Sequence, residues 1–336
     1  VEDFIAGAAG RNTLAVTGGQ CLEHFGSAEA YMPVLEAFGR LMREAGALRS
    51  LLRRYAPTWF AEFPWLIEDE DRERLGQEVV GSARERMLRE MTEFIDALAA
   101  EIPLVLVLED LHWSDPSTVD LLSLLATRRE PARLLVIGTY RPAELILAEH
   151  PLRPVGQRLA ASRQAGEVAL DDLGDDAVAE YLERRFAGSR FPRAVARRLH
   201  ERTDGNPLFL VTLVDHLIAR GAIVERGGRW QAAGGFGEEL AAVPESLRLL
   251  IEHQLGRLTG EDRELLEVAS VAGIEFSAAV AVTAERGTAE AEQRYERLAG
   301  AGPFLRYAGS AAWPDGTVAG CFAFRHSLYR ETLAAA

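Results

Sequence analysis

Apolar and polar positions change period several times along the chain, and each change marks an element. Leu104 to Leu108 is an unbroken, branched apolar run opened by Pro103, the pattern of a strand covered on both faces. Two acids, Glu109 and Asp110, end it. Asp115-Pro116-Ser117 supplies a helix start with proline at an early position, and the helix it opens runs through Leu125. Leu134 to Gly138 is a second buried strand that runs into Thr139-Tyr140-Arg141. Strand, helix and strand at this spacing predict a parallel crossover unit. Upstream, Leu14 to Thr17 reads as a strand meeting Gly18 and Gly19, while Tyr31 to Ala45 and Gln77 to Ala100 carry apolar residues at helical spacing. Val168 to Leu170 reads as a last short strand of this α/β segment.

Beyond it the pattern becomes helical. Asp175 to Phe186, Pro192 to Arg202 and Pro207 to Ala219 form one group, followed by a strand pair around Gly227-Gly228 and a glycine-rich linker from Ala232 to Gly237. A second group comprises Pro244 to Leu258, Glu261 to Ala272, a short helix near Ala278 and Thr288 to Leu298. Two strands follow, Phe304 to Tyr307 and Val318 to Phe324, with Pro314-Asp315-Gly316 as the turn between them and a closing helix from Arg325 to Leu333. Helices followed by a two-strand wing predict a winged-helix domain.

Composition narrows the function classes. A chain of 336 residues with 48% hydrophobic and 26% charged residues has the makeup of a globular protein of two or three domains. Its longest charge-free apolar run is far short of the roughly 20 residues that span a bilayer, and neither a secretion signal nor a membrane segment is expected. Cys21 and Cys321 are too few and too far apart for a disulfide framework or a zinc site, which points to the cytoplasm. A net charge of −14 argues against holding a polyanion by bulk electrostatics. All 37 basic residues are arginine, so a mechanism that needs a lysine is incomplete within these residues.

Three places could carry chemistry. Acids at the carboxyl end of a buried parallel strand sit where open α/β sheets bind ligands, and Glu109 with Asp110 could hold a hydrated Mg²⁺ and polarise a water. They could equally cap the next helix or solvate a loop. On the neighbouring strand end, Thr139 and Arg141 offer a hydroxyl to orient a water and a forked donor for a terminal phosphate, or Arg141 pairs with a nearby carboxylate. Gly205-Asn206 ends one helix and Pro207 starts the next, an apolar edge with free backbone groups for a base, or simply a turn.

The order of Gly19-Gln20-Cys21, Tyr31 and Pro33, LVLVLEDLHWSDPS, GTYR, TDGNP and FRHSLYRE resembles the signal-transduction ATPases with numerous domains, a branch of the AAA-type P-loop NTPases found in large bacterial transcriptional activators and in ATPase regions fused to cyclases or kinases. The resemblance covers essentially the whole chain. It implies an AAA-type core over residues 1–172, a helical lid over 173–236 and a winged-helix domain over 237–336. It places Glu109 and Asp110 on the Mg²⁺ and water-polarising positions, without saying which does which, Arg141 on the sensor position and Pro207 near the adenine. His326 matches a winged-helix histidine that reaches the phosphates of bound ADP, or it packs locally at a helix start. The implied cofactors are ATP or ADP with Mg²⁺, and the implied partners are other domains of the same polypeptide: an N-terminal P-loop segment and C-terminal effector or helical-repeat domains.

One part of the family pattern is missing. A P-loop needs glycines that bring amides against phosphates, a lysine, and a serine or threonine for Mg²⁺. Gly7 to Thr13 (GAAGRNT) has the wrong glycine spacing, arginine for lysine, and precedes a strand where a P-loop follows one, so it reads as a helix-to-strand turn. The expectation is a truncated AAA-type sheet whose P-loop and first strand lie before Val1. A gap or poorly formed edge should then separate Leu134 to Gly138 from Val168 to Leu170, and nucleotide binding and hydrolysis by these residues alone should be weak. Two readings compete with this nucleotide switch: a degenerate scaffold without ATPase activity, and a winged-helix DNA reader. The helix best placed for DNA recognition, Thr288 to Leu298, carries Glu290, Glu292 and Glu296 against Arg294 and Arg297, which disfavours the latter. An arginine finger at Arg128 or Arg129 is a further option.

Overall fold

The central strand of the α/β region forms where the apolar run is longest. In the computed structural model, which describes residues 1, 4–5, 7, 14–23, 29–46, 48–67, 84–128, 131–281, 287–313 and 318–335, Leu104–Glu109 is strand β2, and Leu104 to Leu108 are all buried. On one side it pairs in parallel with β1 (Ala15–Gln20), on the other with β3 (Leu134–Gly138), giving the order β1-β2-β3. Strand β1 runs three residues past the expected Thr17, because Gly18 and Gly19 continue the ladder. Gly19 is required there: a Cβ at this position would lie 1.9 Å from the Pro33 carbonyl oxygen.

Pro33 opens helix α1 (Met32–Glu44), which buries Val34, Ala37, Phe38, Leu41 and Met42 as one stripe over the sheet. Helices α2 (Leu48–Tyr55) and α3 (Pro57–Ala61) and a 3₁₀ turn (Pro64–Leu66) follow. In α4 (Arg84–Glu101), Phe94, Ile95 and Leu98 are fully buried, and Phe94 meets Phe38 edge to face. Helix α5 (Pro116–Ala126) starts as the sequence predicts: the Asp115 carboxylate accepts from the amides of Ser117 and Thr118 and from the Thr118 hydroxyl. Helices α6 (Pro142–Leu147) and α7 (Leu152–Ala161) complete this first compact unit, residues 1–168.

The second unit, residues 169–336, is a distinct compact body. Helices α8 (Asp175–Arg185), α9 (Arg193–Thr203) and α10 (Pro207–Ala219) lead to a hairpin of β4 (Ile223–Arg226) and β5 (Arg229–Ala232). Helices α11 (Phe236–Ala241), α12 (Glu245–Leu255) and α13 (Gly260–Ala272), strand β6 (Glu275–Ser277), helix α14 (Thr288–Ala301), strands β7 (Leu305–Ala312) and β8 (Val318–Phe324) and helix α15 (Ser327–Ala334) follow. The last three strands form an antiparallel sheet of order β6-β8-β7. A single apolar cluster runs through the unit, from Leu182 and Leu199 through Phe209 and Ile251 to Tyr295 and Phe322.

Three sequence expectations need correction. Val168 to Leu170 is not a strand: Val168 and Leu170 are 82% and 92% exposed, and among the described residues they pair with no strand. The segment near Ala278 is not a helix. The strand β6 ends at Ser277, because Glu275 to Ser277 pair with Ala323 to Cys321 of β8. The glycine-rich stretch is not a free linker, since Phe236 opens α11 and is buried in the same cluster as the helices on either side. The turn expected at Pro314 to Gly316 lies outside the described residues, as does Gly7 to Thr13 apart from Gly7. Among the described residues, no helix is long and apolar enough to cross a membrane.

Candidate functional site

The carboxyl ends of the three parallel strands bring the first group of candidate residues together. Gln20 is in register with Glu109, and Leu108 with Gly138, so Gln20, Glu109, Asp110 and Thr139 share one edge of the sheet. Asp110 takes a left-handed backbone (φ 56°, ψ 42°) as it turns out of β2 into a 3₁₀ turn, Leu111–Trp113. Aspartate tolerates this region better than most residues, yet it costs on the order of 1–2 kcal/mol. Three hydrogen bonds hold it: the Asp110 amide donates to Thr139 Oγ1 (3.1 Å), Gln20 Nε2 donates to Asp110 Oδ2 (2.9 Å), and the Leu111 amide donates to the Thr139 carbonyl (2.8 Å). Glu109 is exposed beside it, its carbonyl accepting from the Cys21 amide (2.9 Å). Gln20 is itself anchored by its amide on Glu36 Oε2 (2.9 Å).

This edge is electronegative, and Cys21 reports it. Burial pushes its thiol up to about 12, and the nearby carboxylates of Asp115, Asp110 and Glu36 push in the same direction. Such a field favours a cation. Among the described residues no group of three or more histidine, cysteine or acidic side chains is arranged around a metal. Mg²⁺ does not need one, because it keeps several waters and takes one or two carboxylates together with phosphate oxygens. Glu109 and Asp110 fit that requirement.

Arg141 follows Thr139 by two residues. It precedes α6, and its guanidinium binds Glu144 Oε1 (2.9 Å) and lies over the Trp113 ring, 5.9 Å from its centroid. The alternative of a nearby carboxylate partner is thus the one observed. His112, with a buried side chain, stands behind this pair: its Nδ1 accepts from the Arg141 amide (3.4 Å) and its Nε2 is 3.4 Å from Glu144 Oε2. The neighbouring Tyr140 hydroxyl binds Glu167, and burial followed by that contact pushes it up to about 12.

In the second unit, Gly205, Asn206 and Pro207 form the turn between α9 and α10. Gly205 has φ 75°, and a Cβ there would lie 2.0 Å from the Leu173 carbonyl oxygen, whose own amide donates to the Gly205 carbonyl (2.8 Å). Asn206 Oδ1 caps α10 by accepting from the Phe209 amide (3.1 Å). Pro207, Leu208 and Val211 leave an exposed apolar edge at that helix start. His326 is buried against the rings of Phe209 and Tyr329, each 5.3 Å away, with Nδ1 3.4 Å from Asp204 Oδ2. Its observed surroundings are those of local packing.

Two further expectations meet definite partners. Arg128 is ion-paired with Asp96 and only 14% of its side chain is exposed, so it is not poised as a finger; Arg129 lies outside the described residues. On α14, Arg294 binds Glu261 and Asp262, Arg297 binds Asp262 (2.9 Å), and Glu292 accepts from the Gly320 amide (2.5 Å). Gln20, Glu36, His112 and Glu144 are the residues that sequence reasoning gave no role. Gln20 at a strand end and His112 within LHW were visible signals, whereas the contacts of Glu36 and Glu144 depend on tertiary placement.

Residues 4–137 match the family model of the AAA ATPase domain. No curated protein matches the chain. Among solved structures, a lysine-to-arginine mutant of RuvB from Thermotoga maritima is 16% identical, with a TM-score of 0.32, covering 75% of this chain and 84% of that one. An arginine-to-alanine mutant of the same protein is 15% identical at a TM-score of 0.32, covering 87% and 93%. The RuvB Holliday junction branch migration motor of Thermotoga maritima is 14% identical at a TM-score of 0.31, covering 75% and 84%. Overlap at that level carries no property of RuvB across to this chain. The AAA ATPase match rests on the first unit, where it includes β1, β2 and nearly all of β3.

Proposed function

We propose that this chain is part of a nucleotide-dependent regulatory switch of the signal-transduction ATPase type, with an AAA core over residues 1–172, a helical lid over 173–236 and a winged-helix domain over 237–336. The observation that carries the reading is Asp110, held in a strained backbone by Gln20 and Thr139, beside Glu109 on the carboxyl edge of a parallel sheet. In it Glu109 and Asp110 hold Mg²⁺ and orient a water, Thr139 fixes the Asp110 backbone, and Arg141 answers the terminal phosphate. The apolar edge at Pro207, beyond Gly205 and Asn206, receives the base. Bound ATP with Mg²⁺ supplies the phosphoryl group whose presence or loss distinguishes the two states of the switch. His326 contributes through the wing, whose strand order β6-β8-β7 supports a winged-helix assignment. The site is completed by a P-loop and strand from sequence preceding Val1, and the protein acts in the cytoplasm on effector domains of the same polypeptide.

The commitments of Arg294 and Arg297 to Asp262 and Glu261 weigh against DNA readout by α14. The scaffold alternative is separated by reading about 60 codons upstream, enough for a strand and phosphate loop, and measuring ATP·Mg²⁺ binding and hydrolysis by the extended protein. We expect binding that is weak in residues 1–336 and tight in the extended form, with hydrolysis lost in Glu109→Gln or Asp110→Asn. An extended protein that binds no ATP leaves the scaffold.

A further inference from the structure

The strand-to-helix turn after β3 holds a small polar assembly that the proposed switch does not explain. Arg141 donates to Glu144 Oε1 (2.9 Å), and the two side chains are 55% and 26% exposed. Glu144 is fixed twice. It lies in the first turn of α6, its amide bonded to the Arg141 carbonyl (3.1 Å), where the helix dipole favours an anion. Its other oxygen faces buried His112. Because Nδ1 of His112 accepts from the Arg141 amide, the neutral ring carries its proton on Nε2, the nitrogen aimed at Glu144. Trp113 supplies a face beneath the guanidinium. Arg141 is therefore held by a carboxylate whose own position is set by the backbone and by a buried ring.

We infer that Glu144 is a positioning residue that competes with a phosphate group for Arg141, keeping the guanidinium on Trp113 until a phosphoanion withdraws it. This rests on the ATP reading of the site above. A half-exposed ion pair is weak, so a phosphate can displace it, and the competition is worth about two- to fivefold in apparent affinity. His112 keeps Glu144 and the Arg141 backbone in place while the guanidinium moves.

The test is a titration of the ¹⁵N-arginine-labelled chain with millimolar ATP·Mg²⁺, following the Arg141 Nε–H resonance, which is identified by its loss in Arg141→Lys. In Glu144→Gln the resonance should shift in the absence of nucleotide, and the half-saturating ATP concentration should fall about two- to fivefold. Inorganic phosphate alone, run in parallel, distinguishes phosphate capture from recognition of the whole nucleotide. A resonance identical in wild type and Glu144→Gln overturns the tether. A response to ATP with the same midpoint in both proteins overturns the competition and leaves the ATP reading standing. If Glu144→Gln shifts the resonance and no phosphate compound perturbs it in either protein, the competition falls, while the ATP reading is decided separately by binding to the extended protein. Glu144 is partly exposed, and Glu144→Ala repeats the test should the glutamine amide still hold the guanidinium.

Discussion

The two three-stranded sheets of this protein treat their edges differently. In the second unit, the outer strand β6 is only three residues long, and β7 is broken by an irregularity between Tyr307 and Gly309. Short and bulged edges resist pairing with other chains. In the first unit, β3 is a regular five-residue strand with Leu135 44% exposed and no bulge. The difference follows from connectivity. An antiparallel strand finds its partner across a local connection, as β7 and β8 do, whereas a parallel strand depends on a partner delivered by a long crossover. Among the described residues β3 pairs only with β2, so its outer edge is left open.

The contrast is tested most strongly by truncation in each sheet. Phe322 is fully buried on the central strand β8 and meets Phe276, Tyr295 and Tyr307, so Phe322→Ala should cost about 3–5 kcal/mol. Leu135→Ala on β3 should cost at most about 0.5 kcal/mol. Urea unfolding monitored by circular dichroism checks both. A large loss at Leu135 would show that β3 is covered in solution.

Gly205 offers a second, smaller perturbation. Gly205→Ala imposes the left-handed penalty of about 1–2 kcal/mol, and its methyl group meets the immovable Leu173 carbonyl. The turn between α9 and α10 should loosen, seen as a lowered melting temperature. If Gly205→Ala is neutral, the turn does not hold its described conformation.

Cysteine reactivity reads the electrostatics of the β-strand ends. Cys21 is buried and its thiol is raised from 9.0 to about 12, so at pH 8 it should resist iodoacetamide in the folded protein, while partly exposed Cys321 reacts. The sign of the linkage follows. Unfolded Cys21 ionises near pH 9 and folded Cys21 does not, so its contribution to stability is present below pH 9 and is lost as pH rises toward 12. A Cys21→Ser variant should show a smaller loss of stability across that window. Equal alkylation of both cysteines at pH 8 would contradict the buried, electronegative site.

Much of this architecture was legible in the sequence, and the failures share a cause. Leu134–Gly138 and Pro207–Ala219 have the expected bounds, because an unbroken apolar run between turn residues and a proline-started helix with an asparagine cap are local signals. Val168 to Leu170 failed because a strand needs a neighbour, and no local pattern says whether one is present. The β6 segment failed because Glu275 to Ser277 is held by a partner 44 to 48 residues away in sequence. At the site, Glu109, Asp110 and Thr139 could be placed from strand ends alone. That Arg141 pairs with a carboxylate was one of two readings of its position, and the choice between them could not be made from sequence, because an Arg-to-Glu spacing of three at a helix start is compatible with an open guanidinium as well as a paired one.

The finest probe of the comparison is amide exchange along β3. The Thr139 amide donates to the Leu108 carbonyl, and alternation along a parallel strand then directs the amides of Leu135 and Ile137 toward β2 and those of Leu134, Val136 and Gly138 toward the open edge. The second set should exchange at least about tenfold faster than the first, while amides of β2, paired on both sides, should be the slowest of the sheet. In β8, which also has a partner on each side, no such alternation is expected over Cys321 to Ala323, where β6 and β7 both pair with it. Should an upstream strand complete the sheet, the extended protein would slow exchange at Leu134, Val136 and Gly138 selectively and leave β8 unchanged. Uniform protection along β3 in residues 1–336 would instead mean that the edge is already paired, by a second copy or by a segment outside the described residues, and protein concentration separates the two: protection from a second copy falls on dilution.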